Sequence, residues 1–254
     1  MRPGADEAPV SSNLRLAVGL LALIAIACAV LSVAGVRQRR AVVVASVRAA
    51  AQLAFVAAAL RGVFTAPIAV IAVIAVMFSV ATWTAGHRLR AHGGAMAAVA
   101  LSIAAGSTTV IGVIVGLPTL TRDVRTLVAV SGIVLGGTMT AATLTGRRLA
   151  DGLHRRRDEV EAWLSIGATP RQAVRDVARD SVFEALVPAL DQTRTVGLVT
   201  LPGAFIGALL GGASATDAAR FQLVVLIGLI CAEAITATML AWRLGAPSTL
   251  PATE

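Results

Sequence analysis

The residues that could do chemistry inside an apolar chain are few here and can be named one by one. Arg48 and Gln52 sit four positions apart within an apolar run, so on a helix they share one face. A charge inside a membrane span costs a few kcal/mol and usually turns to the bundle interior. The pair is therefore a candidate for a transport path or gate; the alternative is an arginine that snorkels to the nearby interface. Glu233 lies near the middle of the last apolar run. It could meet a cation, pair with Arg48, or stay protonated and bonded to a backbone group. Pro202-Gly203 interrupts another apolar run, and the carbonyls it frees can line a cavity at membrane depth or simply mark a kink. Ser107-Thr108-Thr109 could coordinate weakly, or serve helix contacts.

Other chemistries are excluded by what is missing. All 22 basic residues are arginine, and there is no lysine. A Walker A loop and a Schiff-base enzyme both need one. Cys28 and Cys231 lie deep in apolar runs, against a disulfide framework. His87, His92 and His154 have no ligand spacing, so no metal ligands are assigned. No catalytic residue and no cofactor are expected on this chain.

The only long polar stretch is 146–195. Nine arginines there face eight acids, a near balance that argues against nucleic-acid binding. Arg155–Glu159 and Arg157–Glu161 have the spacing for pairs on one helix face. Leu149, Leu153, Val160 and Leu164 recur at helical spacing. Gly167 then suits the left-handed residue that ends a helix. Thr169 suits an N-cap, Pro170 the first helical position, and Gln172 completes a capping box. The next helix carries Val174, Val177 and Val182 and runs toward Pro188. The stretch predicts a helix, a tight turn and a second helix. Such an elbow can be presented to a partner; the plainer reading is a solvated loop that holds charge on one side.

These features need a membrane scaffold. The chain has 254 residues, 57% of them apolar and only 14% charged, far from the composition of a soluble domain. A helix needs about 20 apolar residues to cross a bilayer. Seven runs qualify: Leu16–Val36, Ala41–Leu60, Ala66–Trp83, Ala95–Gly116, Thr126–Leu144, Val196–Leu210 and Phe221–Trp242. The sixth is short and is expected to be broken or tilted at Pro202-Gly203. The first is read as a span and not a cleaved leader, because Asp6 and Glu7 precede it and Arg37, Arg39 and Arg40 follow it. Alternate loops divide the arginines 15 to 6, with Arg48 inside a span. By the positive-inside rule the N-terminus lies outside and the C-terminus and elbow in the cytoplasm. Gly132, Gly136 and Gly137 give the small-xxx-small spacing of a close helix contact, a candidate homodimer surface.

Glu161-Ala162-Trp163-Leu164-Ser165-Ile166-Gly167 resembles the EAA motif of ABC transporter permeases, whose coupling helix docks into the ATPase subunit. The wider pattern is more specific. Leu164-Ser165-Ile166-Gly167-Ala168-Thr169-Pro170-Arg171-Gln172-Ala173, Val187-Pro188-Ala189-Leu190 and Val196-Gly197-Leu198-Val199-Thr200-Leu201-Pro202-Gly203 resemble the FetB family, also catalogued as UPF0014. Arg48 to Leu53, Gly132 to Gly136 and Phe221-Gln222 resemble further signatures of that family, so the likeness runs from about residue 41 to 243. The resemblance implies the permease subunit of an iron-export ABC system, related to plant aluminium-tolerance permeases. Three departures bear on the cargo: Ala204-Phe205-Ile206-Gly207-Ala208 replaces a Met-Met-Thr-Gly-Gln stretch, Gly137 an asparagine, and Phe221 a tyrosine.

The sequence therefore predicts an all-α polytopic membrane protein with about seven transmembrane helices, and a cytoplasmic elbow between spans five and six. It reads as one ABC permease domain over 1–254 with a coupling insertion at 146–195. It would work as a homodimer in the cell membrane and export a small solute or metal ion, iron by resemblance, on ATP hydrolysed by a separate subunit. Glu161, Gly167, Ala168, Thr169, Pro170 and Gln172 are the predicted ATPase contact; Arg48, Gln52, Pro202, Gly203 and Glu233 are the predicted path. A secondary transporter with Glu233 and Arg48 as an ion relay is the alternative.

Overall fold

The computed structural model describes residues 9–63, 67–89, 95–117, 120 and 123–246. His92, and Ala66 as the start of the third span, lie outside the described residues. Among the described residues ten helices form: α1 (Pro9–Val33), α2 (Arg39–Val63), α3 (Pro67–Arg88), α4 (Ala95–Gly116), α5 (Val124–Arg155), α6 (Arg157–Ser165), α7 (Pro170–Ala173), α8 (Arg175–Thr195), α9 (Gly203–Leu210) and α10 (Ala215–Leu244). Among the described residues there is no strand, only one isolated bridge between Val196 and Thr200. The fold is all-α, as the composition requires.

Two compact units divide the chain, Met1–Thr65 and Ala66–Glu254. The first is an α1–α2 hairpin, apolar on nearly every side. The second is a helical body, whose helix directions follow from its close approaches. Leu89 reaches Gly146 and Met77 reaches Gly132, so α3 and α5 run parallel. Gly106 packs on Ala232 and Thr236, and Val110 on Gly228, so α4 and α10 are antiparallel. Gly86 at the end of α3 meets Met96 at the start of α4, so α3 and α4 are antiparallel; α5, parallel to α3, and α10 therefore both run opposite to α4 and are parallel, with Gly137 facing Leu229 and Glu233.

Six helices are long and apolar enough to cross a membrane among the described residues: α1, α2, α3, α4, α5 and α10. The sixth predicted span, Val196–Leu210, is not a continuous helix. Gly197 turns the chain at φ +79°, and the Gly197 amide donates to the Thr200 carbonyl at 2.8 Å. Helix resumes only at Gly203, after Pro202. Because α5 and α10 are parallel, the chain between them must travel the length of the body, and α8 with α9 makes that journey in two pieces. α8, the second half of the stretch 146–195, packs against α5 and α10.

The core is built from small residues. Ala85, Ala95, Val99, Ile103, Ala142 and Leu240 form one buried cluster, and Val110, Val130, Val134, Val225 and Ala232 another. In a bilayer, helices associate through such close packing, since lipid tails are as apolar as leucine. Gly132 and Gly137 are used this way inside the chain, against Met77 and Leu229. Of the proposed dimer stripe only Gly136 meets nothing; its neighbours are spent on internal contacts that spacing alone does not reveal.

Candidate functional site

The elbow is compact, and its turn chemistry is realised atom by atom. α5 has 32 residues, about 48 Å at 1.5 Å per residue, against a hydrocarbon core of about 30 Å. It is longer than a crossing needs, and its last turns, where Arg147, Arg148, Asp151 and Arg155 gather, carry the elbow. Leu149 and Leu153 of α5, Val160 of α6, Ala173 and Val174 around α7, and Val177 of α8 form a buried cluster. Leu164, expected in that row, is 36% exposed, because α6 starts afresh after a break at Arg156 and its phase shifts.

α6 ends in a Schellman motif. The Ala168 amide donates to the Trp163 carbonyl at 3.1 Å and the Gly167 amide to Leu164 at 3.0 Å, with Gly167 at φ +93°. That conformation costs a residue with a Cβ about 1–2 kcal/mol. Thr169 then caps α7 in a capping box with Gln172. The Gln172 amide donates to Thr169 Oγ1 at 3.4 Å, and the Thr169 amide to Gln172 Oε1 at 2.8 Å. Pro170 opens the helix.

Of the two predicted ion pairs, Arg157–Glu161 forms at 2.6 Å. Glu159 is taken by Arg156 and not by Arg155, at 2.7 and 2.8 Å in a bidentate fork. Arg156 is the non-helical joint between α5 and α6, so its side chain is not bound to the i,i+4 rule, and it also reaches Asp180 of α8 at 3.0 Å. The guanidinium holds the Glu159 carboxyl below its ordinary value of 4.5, by hydrogen bond first and charge second. A carboxyl depressed on folding adds stability above its unfolded pKa and loses it as pH falls through the lower folded value. The fork is thus expected to stay closed down to about pH 5. Trp163 fluorescence in a variant lacking the other tryptophans should be flat from neutral pH to there, and Glu159→Gln should remove the acid-side change.

What the elbow leaves uncovered is its tip. Trp163 is 46% and Ile166 74% exposed, side by side with the exposed Glu161, Thr169, Pro170 and Gln172.

A second set of polar groups lies at mid-bundle. Glu233 is 7% exposed, and its Oε1 lies so close over Gly137 that a Cβ there would come within 2.7 Å. Among the described residues it makes no hydrogen bond or ion pair. Arg48 and Gln52 are both exposed on α2 in the other unit. Ser107 and Thr108 hydroxyls donate to Ile103 and Ala104 carbonyls in their own helix, both at 2.6 Å. Pro202 caps α9 and Gly203 begins it.

Sequence reading missed the end of α8. Ala178 approaches Gly245, while Val182 and Leu186 share a groove with Ala241 and Thr238. α8 continues past Pro188 to Asp191, Gln192 and Arg194. Asp191 and Arg194 pair at 3.5 Å and stay exposed, at 61% and 73% of their side chains. Counted with the insertion they look like solvated charge. The signal that could have placed them is Pro188-Ala189-Leu190 just before, where the density of charge falls.

The family model described as "Uncharacterised protein family (UPF0014)" matches residues 14–247. The chain belongs to the UPF0014 family. This UPF0014 chain is 36% identical to the UPF0014 membrane protein STAR2 of Oryza sativa subsp. japonica over 203 residues, 78% of this chain and 71% of the relative. It is 28% identical to YjkA of Bacillus subtilis, covering 78% of this chain and 80% of that one. It is also 28% identical to the probable iron export permease protein FetB of Escherichia coli, covering 74% of each. No solved structure matches it. It is a multi-pass membrane protein with relatives named as membrane and permease proteins.

Proposed function

We propose that this UPF0014 chain is the membrane subunit of an ABC exporter, working as a homodimer on a separate ATPase. The observation that carries the reading is the elbow: a rigid, capped turn carried by the last turns of α5, with Trp163 and Ile166 left bare at its tip. The EAA-like residues Glu161 to Gly167 fall on that tip, and Ala168, Thr169, Pro170 and Gln172 continue it. A gradient-driven carrier has no use for such a device. The chain has no lysine for a phosphate loop, so hydrolysis belongs to the partner. The arginine asymmetry favours the elbow and C-terminus in the cytoplasm and the N-terminus outside. The name of the Escherichia coli relative favours iron as cargo.

In this reading the motors close on ATP and push the paired elbows together. α6 and α7 transmit that motion through Leu149, Leu153 and Val160 to α5, and through Val177 to α8. The body then reorients about its broken crossing. Discontinuous helices mark transport sites because unwound backbone supplies ligands at membrane depth. Within the second unit the path is assigned to Asp191, Gln192, Glu233 and the Gly197–Gly203 break; Arg48 and Gln52 on α2 are candidates of the first unit by themselves.

Co-expression with a candidate ATPase from the same organism tests this. The expected result is a complex, stimulated ATP hydrolysis, and lower cellular iron when both are present. Asp191→Asn and Glu233→Gln should cut efflux at least tenfold while the complex still forms. An unchanged solute content in cells with the intact pair, or efflux that follows an ion gradient without ATP, would overturn the assignment.

A further inference from the structure

At the elbow end of the body, α7, α8 and α10 enclose an open groove of about 530 Å³. Arg171, Arg175 and Arg179 line its upper part, and Phe183 and Leu186 its lower part, with Trp242 on the opposite wall. The Arg171 guanidinium stacks on the Trp242 ring at 4.1 Å. Arg171 and Arg175 have no acidic partner within 4.0 Å among the described residues. Arg179 has only Asp176, at 3.9 Å and well exposed. The groove therefore holds three cations with little to neutralise them, at four-residue steps along one line.

Depth decides what could neutralise them. Trp242 ends the apolar run of α10 just before Arg243, where aromatic side chains sit at headgroup level. The arginines lie on the elbow side of that level, and Phe183 and Leu186 on the bilayer side. Phe183 is 67% exposed. Positive charge above and a bare apolar floor below, about 16 Å from Arg175 to Leu186 at helical rise, match a molecule with an anionic head and hydrocarbon chains. An acidic protein segment would satisfy the arginines but leave the floor unmatched.

We propose that this groove binds an anionic phospholipid, its phosphodiester held by Arg171, Arg175 and Arg179 and its acyl chains lying on Phe183 and Leu186. Basic pockets between helices at the membrane surface recognise headgroups in this way. The site adjoins α7, so a bound lipid braces the base of the elbow. The inference rests on the chain being a membrane protein and not on its having an ATPase partner.

Native mass spectrometry of the full chain in detergent tests it, with phosphatidylglycerol, phosphatidylcholine of the same acyl chains, and inorganic phosphate as probes. Phosphatidylglycerol should bind well above phosphatidylcholine, and phosphate should not displace it. R175Q/R179Q should weaken phosphatidylglycerol binding roughly 25-fold, at about fivefold per surface arginine. R175K/R179K should stay within a few-fold of the parent, which separates lost charge from lost fold. Phe183→Ser should weaken both lipids. Equal binding of the two lipids, an unaltered R175Q/R179Q variant, or competition by phosphate would each overturn the proposal. So would R175Q/R179Q breaking a dimer with no change in lipid, since a second copy would then be what covers the groove.

Discussion

Trp163→Ala should weaken binding of the ATPase subunit by about 30-fold or more, and Trp163→Ala with Ile166→Ala should abolish a recoverable complex. Buried tryptophans at the centre of an interface commonly cost 2 kcal/mol or more when truncated. In the isolated chain, Trp163 and Ile166 are 46% and 74% exposed, so removing them leaves the body's packing intact. The elbow beneath is held by other groups: the buried Leu149, Leu153 and Val160, the Gly167 turn and the Thr169–Gln172 box. The check is co-purification and ATPase stimulation beside a thermal scan of the membrane chain. Ile71→Ala is the control, equally bare at 69% but on α3. Loss of the complex with an unchanged melting temperature supports docking at the tip. Equal loss in Ile71→Ala, or full retention in the double variant, sinks it.

Much of this site was legible because it is local. Gly167, Thr169, Pro170 and Gln172 form their turn and cap with partners no more than a few positions away, and chain spacing states such contacts directly. The spans were legible for the same reason, since length and apolarity are properties of a segment. What was not legible depends on who meets whom. Arg156 and not Arg155 takes Glu159 because a break in the helix frees its backbone. Gly132 and Gly137 are consumed inside the chain because α3 and α10 run beside α5. Asp191 and Arg194 read as part of a loop, whereas α8 runs back along α5 and α10.

That same packing sets the sharpest stability contrast in the molecule. Gly106→Ala is expected to destabilise the body strongly, Gly146→Ala mildly, and Gly136→Ala not at all. A Cβ at 106 would strike the Ala232 carbonyl and the Thr236 hydroxyl. A carbonyl cannot swing aside, so α4 and α10 must separate. The Thr236 hydroxyl would then lose its buried bond to the Ser102 carbonyl, 3.2 Å in the native packing. Overpacking costs about 1–3 kcal/mol, and a buried group left unpaired about as much again. A Cβ at 146 would press first on the side-chain end of Leu89, which unlike a carbonyl can change rotamer. At 136 it meets nothing within 4 Å, and alanine has the better helix propensity by up to about 1 kcal/mol. Melting temperatures in detergent should rank Gly136→Ala at or above the parent, then Gly146→Ala, then Gly106→Ala. A Gly106→Ala chain as stable as the parent would mean that α4 and α10 do not meet at this glycine. The antiparallel register of α4 and α10 would then have to be redrawn.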